Sequence, residues 1–373
     1  MSTIAHPKLS GKAGGSRRLS VVTPPRPIDL IRVRGSHRDV GLQLGEACGG
    51  IIRDSLENDI APPAGRRLAE QLFLAARYRE VTREAYPWLI EEHDAIAEAA
   101  GVDPIALFAR GIEEIRYEPR PPKGRCTDLV AVPPATSDGH VLVGHTNDLY
   151  PQDEENIVAI EWTVRDEPVV LSIGVGPGLS AGFNSAGISF TGNELSPNDE
   201  RIGIPRQMQF RAMLARPTLE AAMEVALHPS RASSYNNILV ARDAEAVNIE
   251  GSATDAEVTG PNARGVFAHT NHYACERMLP FEGDPEYAEQ SGLRLSRGRE
   301  LLDQAAGSIT TSSMREMLAD HENFPYSICR HHRSDIDDYS KTVFWCVCDV
   351  SEMLILFGRG NPCDSLEQEY RFA

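Results

Sequence analysis

The chain changes texture at residue 126, and that change limits the folds open to it. Before it, apolar residues recur at helical spacing: Val40, Leu44, Ala47 and Ile51 share one face, and 66–85 carries Leu68, Leu72, Ala75, Ala76 and Tyr78. The helical pattern is expected from Arg32 onward. Pro87 opens a further helix through Trp88, Ile90 and Ile96 that Gly101 closes, and Asp103-Pro104 caps and starts another. After residue 126, short β-branched runs predict strands at 129–132, 140–144, 157–164, 169–173 and 188–191. More strands are expected at 237–241, 246–250, 266–269, 342–349 and 353–357, with helices at 205–214, 218–227, 287–305 and 312–319. Strands in pairs with helices set between them predict an α+β protein of two packed sheets, each covered by helices on its outer face.

The border itself reads Glu118-Pro119-Arg120-Pro121-Pro122-Lys123-Gly124-Arg125, which neither a helix nor a central strand can hold. An exposed loop is expected there. Cys126 follows at the head of an apolar run, Leu129-Val130-Ala131-Val132. A thiol at the start of a buried strand, behind an accessible loop, suits a chain that cuts itself and uses the new terminal cysteine as catalyst. It equally suits a small residue buried in the core. Position alone does not decide.

Residues 1–25, rich in Ser, Gly, Lys, Arg and Pro, read as a disordered leader. Residues 26–125 then form a helical N-terminal segment, and 126–373 the catalytic domain. A net charge of −17 excludes a nucleic-acid partner, which needs a basic surface. No apolar run is long enough to span a bilayer, and the N-terminal stretch lacks a signal-peptide core. Seven cysteines without paired spacing fit a reducing compartment, so the cytoplasm is expected. Cys346-Val347-Cys348 would share one strand face, too weak a pattern for a zinc site.

Five segments in order carry a likeness: Cys126-Thr127; Gly144-His145-Thr146-Asn147-Asp148; Gly182-Phe183-Asn184-Ser185-Ala186-Gly187; His269-Thr270-Asn271-His272; and Pro325-Tyr326-Ser327-Ile328-Cys329-Arg330. With them the C-terminal two thirds resembles the isopenicillin N acyltransferase (acyl-CoA:6-aminopenicillanate acyltransferase) family of N-terminal-nucleophile (Ntn) cysteine hydrolases, whose relatives include insect N-β-alanyldopamine hydrolase. The resemblance implies a four-layer αββα sandwich preceded by the helical segment, and a precursor cleaved at Arg125–Cys126 into two chains that stay associated. It implies Cys126 as nucleophile, Asn271 as oxyanion-hole donor and Asp148 as a carboxylate that orients the new amine or supports processing. The freed amine, with a reference pKa of about 7.7–8.0, would serve as the thiol's own base.

His145, Asn147, Asn184, Ser327 and Arg330 are candidates to line the substrate. Asn184, in a glycine-flanked turn, is read first as a structural residue that needs a left-handed backbone and second as substrate-lining. Two departures stand out. Arg125 replaces the glycine usual before the nucleophile, and the stretch 337–341 lacks the arginine that the penicillin enzymes carry after a serine. The activity implied is amide hydrolysis or acyl transfer on a small N-acyl amine or N-acyl amino acid through a Cys126 thioester. Two alternatives stay open: a non-maturing relative that only binds ligands, and a metal-dependent hydrolase built on His269 and His272. No cofactor and no metal are expected, since no Gly-rich phosphate loop is present and those histidines follow a strand without an evident third ligand.

Overall fold

A computed structural model describes residues 25–59, 66–115, 125–333 and 340–372. The expected leader, except for its last residue, and the expected loop at 118–124 lie outside the described residues, as does most of the stretch 337–341. In chain order come β1 (Asp29–Gly35), α1 (His37–Asp59), α2 (Arg66–Ala85), α3 (Pro87–Ala100) and α4 (Pro104–Arg110). Next are β2 (Arg125–Ala131), β3 (Leu142–Leu149), β4 (Ile157–Val164), β5 (Val170–Val175), β6 (Ala181–Asn184) and β7 (Ile188–Asn193). Helices α5 (Arg206–Leu214) and α6 (Leu219–Ala226) lead to β8 (Asn236–Ala241), β9 (Ala246–Gly251), β10 (Ala256–Thr259) and β11 (Val266–His269). Helices α7 (Pro285–Ala305) and α8 (Thr311–Leu318) precede β12 (Lys341–Asp349), β13 (Leu354–Arg359) and β14 (Gln368–Arg371).

Two sheets result. One runs β1-β4-β5-β6-β7-β8-β9-β10 and the other β11-β2-β3-β12-β13-β14. Only β1 pairs in parallel, with β4; the other pairings are antiparallel. Val130, Val143, Phe344 and Cys346 of the second sheet meet Ile173, Phe183, Ile238 and Val240 of the first in one buried core. Outside the first sheet, Val40, Leu44, Leu89 and Phe210 of the helices pack on Ile160, Trp162 and Phe190. Outside the second, Leu295, Leu302, Met314 and Leu318 of α7 and α8 pack on Leu129, Leu142, Trp345 and Val347. The molecule is therefore an αββα sandwich. Among the described residues, no helix is long and apolar enough to cross a membrane.

The N-terminal helices differ from expectation in their placement. Rather than preceding the sandwich, α1 and α3 supply part of its outer layer, and β1 adds a strand to the first sheet. The expected helix from Arg32 is a strand because Ile31-Arg32-Val33-Arg34 alternates with period two, and Val33 is buried opposite Trp162.

Helices α1 and α3 touch through glycines. A Cβ on Gly45 would lie 2.4 Å from the Ile96 carbonyl oxygen and 2.7 Å from Ala99 Cβ, whereas one on Gly50 would meet nothing within 4 Å. Ala gains about 0.8–1 kcal/mol over Gly in a helix interior, so the contact decides the sign. Gly45→Ala should destabilise the fold by roughly 1–3 kcal/mol through overpacking. Gly50→Ala should stabilise it by about 0.5–1 kcal/mol. Urea unfolding of both variants against wild type reads the difference; equal shifts would mean that α1 does not depend on this contact.

Candidate active site

Strand β2 pairs with β3 so that Cys126 lies opposite Asn147 and Arg125 opposite Asp148. Side chains alternate between the faces of a strand, and here the two faces differ in kind. Val130 and Val143 belong to the core between the sheets, while Leu129 and Leu142 belong to the core under α7 and α8. Cys126, Asp128, His145 and Asn147 therefore share the inter-sheet face. Arg125, Thr127 and Asp148 share the helix face.

On the inter-sheet face a polar chain ends at the thiol. Asn147 Nδ2 donates to Cys126 Sγ at 3.4 Å and lies 3.4 Å from His145 Nε2. His145 Nδ1 lies 2.8 Å from Asp128 Oδ1. A proton on Nδ1 directed at the carboxylate leaves Nε2 to accept from Asn147, and the two amide hydrogens of Asn147 then serve the ring and the sulfur. His145 and Asp128 are both fully buried, so they hold Asn147 and do not reach solvent.

A second clamp holds the backbone of Cys126. Asn271 Oδ1 accepts from Cys126 N at 2.7 Å and from Arg294 Nη2 at 2.9 Å. Arg294 Nη1 donates to the Cys126 carbonyl and to Thr127 Oγ1. Two donors converging on one oxygen fix the orientation of the Asn271 amide, and its nitrogen donates to the Glu194 carbonyl at 3.1 Å. The turn that carries Asn271 is tied to α7, because Asn271 N donates to Ser291 Oγ at 2.8 Å and Thr270 Oγ1 donates to the Ser291 carbonyl. Ser291 and Arg294 stand one turn apart on the buried face of α7, whose start is set by Asp284 capping Tyr287 N and by Pro285 in the first turn.

Arg125, just before Cys126, is held by Gln290 Oε1 at 2.9 Å and lies over the Tyr287 ring, 4.8 Å from its centre. The Tyr287 hydroxyl is buried without a hydrogen-bond partner among the described residues. Asp148 accepts from Thr342 Oγ1 at 2.7 Å, and its Oδ2 has no hydrogen-bond partner among the described residues. Burial pushes the Asp148 carboxyl up, while the Arg294 and Arg330 cations and the Thr342 hydroxyl pull against it without prevailing. Burial likewise pushes the Cys126 thiol well above its ordinary range, helped by the Asp128 and Asp148 carboxylates and opposed by Arg294. In the intact chain Cys126 is a protonated thiol, only 5% exposed.

The remaining expected residues divide. Arg330 is buried and lowers Asp148 electrostatically, and its backbone N–H donates to Thr342 Oγ1, the same hydroxyl that serves Asp148. Asn184 stands apart from the thiol. Its nitrogen donates to the Leu214 and Arg216 carbonyls and its oxygen accepts from Ala186 N and Ile188 N. Those four bonds use the whole amide and leave none of it for a substrate, and the Asn184 backbone is not in the left-handed region expected of it. Ser327 Oγ donates to the Cys329 carbonyl within its own turn and is not brought to Cys126 by any hydrogen bond.

The His269 and His272 pair does not form a metal site. His269 lies between Asn193 Oδ1 and Glu250 Oε1, both at 2.9 Å, which occupies both ring nitrogens. His272 packs against Ser291 Oγ at 2.9 Å, and burial lowers its pKa to about 4. Sequence reasoning missed Asp128, Arg294, Glu194 and Tyr287. For Arg294 a signal exists: Ser291, Arg294, Leu295, Gly298 and Leu302 form one buried helical stripe, and a charge on such a stripe needs partners.

Comparison with known proteins adds four findings. The model of the acyl-coenzyme A:6-aminopenicillanic acid acyl-transferase family matches residues 135–363, more than half of the chain. The acyl-coenzyme A:6-aminopenicillanic-acid-acyltransferase 40 kDa form of Emericella nidulans is 24% identical over 350 residues, covering 90% of this chain and 94% of that protein. The β-alanyl-dopamine/carcinine hydrolase of Drosophila melanogaster is 21% identical over 377 residues, covering 91% and 94% respectively. Among solved structures, a Caenorhabditis elegans N-acylethanolamine-hydrolyzing acid amidase ortholog superposes with a TM-score of 0.44 at 16% identity, over 61% of this chain and 93% of that one.

Proposed function

Because the chain belongs to the acyl-coenzyme A:6-aminopenicillanic acid acyl-transferase family, we propose that it cuts its own Arg125–Cys126 bond and then acts as a thiol amide hydrolase or acyl transferase. The observation that carries this reading is the double hold on Cys126, with Asn147 on its sulfur and Asn271 and Arg294 on its backbone. An ordinary core cysteine has no use for such polar company.

In processing, Cys126 Sγ attacks the Arg125 carbonyl carbon. The S–C bond forms, the C–N bond breaks, and the thiol proton passes to the departing nitrogen. Water then hydrolyses the thioester, leaving an Arg125 carboxylate and a free amine on Cys126. That amine inherits the Asn271 Oδ1 contact and acts as base for the regenerated thiol. A small N-acyl amine or N-acyl amino acid acylates the thiol, its amine leaves with a proton, and water takes the acyl group; a second amine taking it gives transfer instead. The Asn271 amide nitrogen uses one hydrogen on Glu194, so its second can serve the oxyanion.

The two chains stay together in this scheme. Val33, Val40, Leu44, Ile52, Leu89 and Ile96, all ahead of the cut, are buried on the first sheet side. Each contributes about 1.5–3 kcal/mol of burial, and that burial does not depend on the Arg125–Cys126 bond. Across the cut, Arg211 adds a buried ion pair to Glu92 at 3.2 Å.

The test is a denaturing gel with N-terminal sequencing of the purified wild type. Two chains of roughly one third and two thirds of 40.9 kDa are expected, the larger beginning Cys-Thr-Asp, with release of free amine from a panel of N-acyl amines and N-acyl amino acids. Wild type that stays uncleaved yet turns over substrate would remove the terminal-nucleophile step. Uncleaved protein inert on the whole panel would favour a ligand-binding relative.

A further inference from the structure

Away from Cys126, the segment after α8 and the turn after β13 bring together His321, Cys329, His331 and Cys363, whose ligand atoms all lie within 4.8 Å of one another. The distances form a pattern. Cys329 Sγ and Cys363 Sγ are 3.6 Å apart. His331 Nε2 lies 3.7 Å from Cys329 Sγ and 3.5 Å from Cys363 Sγ, and His321 Nε2 lies 3.0 Å from His331 Nε2. A tetrahedral ion with Zn–S of about 2.3 Å and Zn–N of about 2.0–2.1 Å sets its ligands ~3.8 Å apart for S and S, ~3.6 Å for S and N, and ~3.3 Å for N and N. These four edges each fall within about 0.3 Å of the value required, and the two from His321 to the sulfurs lie within 4.8 Å, so the exposed His321 side chain closes the last corner by a small shift.

We propose that His321, Cys329, His331 and Cys363 form a structural Cys2His2 site for a divalent zinc ion. Four protein ligands close a tetrahedron and leave no position for substrate or water, which marks the site as structural. Two soft sulfurs with two imidazoles suit zinc over the harder cations. The surroundings support the ligands: Asn361 Nδ2 donates to Cys329 Sγ at 3.4 Å and to the Arg330 carbonyl at 2.8 Å, the kind of outer hydrogen bond that steadies a metal-bound thiolate. A disulfide requires a sulfur separation of about 2.05 Å, so the pair at 3.6 Å is not one.

The site has a purpose in this fold. Its ligands Cys329 and His331 flank Arg330, whose N–H reaches Thr342 Oγ1, and that hydroxyl holds Asp148. An ion here would pin the segment that closes the helix face of the second sheet beside Asp148. The ligands escaped the sequence reading because they come from 321–331 and from 363, with no paired-cysteine spacing.

The test starts with the intact protein produced in zinc-supplemented medium and dialysed free of loose metal. Elemental analysis should find about one zinc per chain. Cobalt(II) added to metal-stripped protein should give tetrahedral visible bands and a thiolate-to-cobalt charge-transfer band. Cys363→Ser should lose stoichiometric zinc and about half of that band, since one of two thiolates is gone. His321→Ala, at an exposed ligand, should also lose stoichiometric zinc while folding normally. Folded wild type with neither zinc nor a cobalt spectrum would overturn the site. So would an intact mass two daltons low with Cys329 and Cys363 cross-linked, which would assign the pair to disulfide chemistry.

Discussion

Replacing Cys126 by alanine should leave one uncleaved chain of 40.9 kDa and lower amine release by on the order of 10⁴–10⁶-fold, the scale seen when a catalytic nucleophile is removed. Fold and stability should change little. The side chain is a single sulfur between Asn147 and the core, and the contacts that hold this point of the backbone come from Asn271 and Arg294 on main-chain atoms. Near-ultraviolet circular dichroism and thermal melting within a few degrees of wild type would separate loss of chemistry from loss of fold. A Cys126→Ala chain that still divides after residue 125 would place the cutting agent outside this site. Cys126→Ser sharpens the result. A hydroxyl is a far poorer nucleophile than a thiol at neutral pH, so slow cleavage and weaker turnover are expected, both rising with pH.

Much of this site was legible because its chemistry sits in short segments whose order survives folding. Cys126, Asn147 and Asn271 are named by such segments, and the structure brings both asparagines within hydrogen-bond reach of Cys126. What the sequence could not supply was the face. Asp148 directly follows Asn147, yet alternation sends it under the sheet toward Thr342, where it acts on the thiol through space rather than by hydrogen bond. At Asn184 the flanking glycines point to a structural role, but not to its means, which is four hydrogen bonds to backbone groups.

Elements were lost for a related reason. Strands β6, β10 and β14 are four residues long, too short for a period-two pattern to stand out, and β10 and β14 are half exposed. The strand β1 was hidden in a stretch continuous with the helical pattern of α1. Its pairing partner β4 is more than a hundred residues away, so nothing local announces it.

Arg294 is where the second large effect is expected, and it separates charge from geometry. Its guanidinium donates to the Cys126 carbonyl, to Thr127 Oγ1 at 3.0 Å and to Asn271 Oδ1 at 2.9 Å, so it positions both Cys126 and Asn271, the residues proposed as nucleophile and oxyanion donor. Arg294→Met removes three donations and a cation from a buried site, and both processing and kcat should fall by about 10²–10³-fold. The charge leaves a mark that a merely structural role would not. A nearby cation disfavours the protonated form of the Cys126 amine, which must be neutral to act as base. Removing the cation raises the pKa of that amine, so the rising acid limb of kcat/KM should move to higher pH. Arg294→Lys keeps the charge but not the planar fork, so its kcat should fall while the acid limb stays where it is in wild type. Should Arg294→Met fail to fold, the lysine variant still decides. A limb displaced in Arg294→Lys as far as in Arg294→Met, or normal kcat in folded Arg294→Lys, would show that α7 supports the site by packing alone.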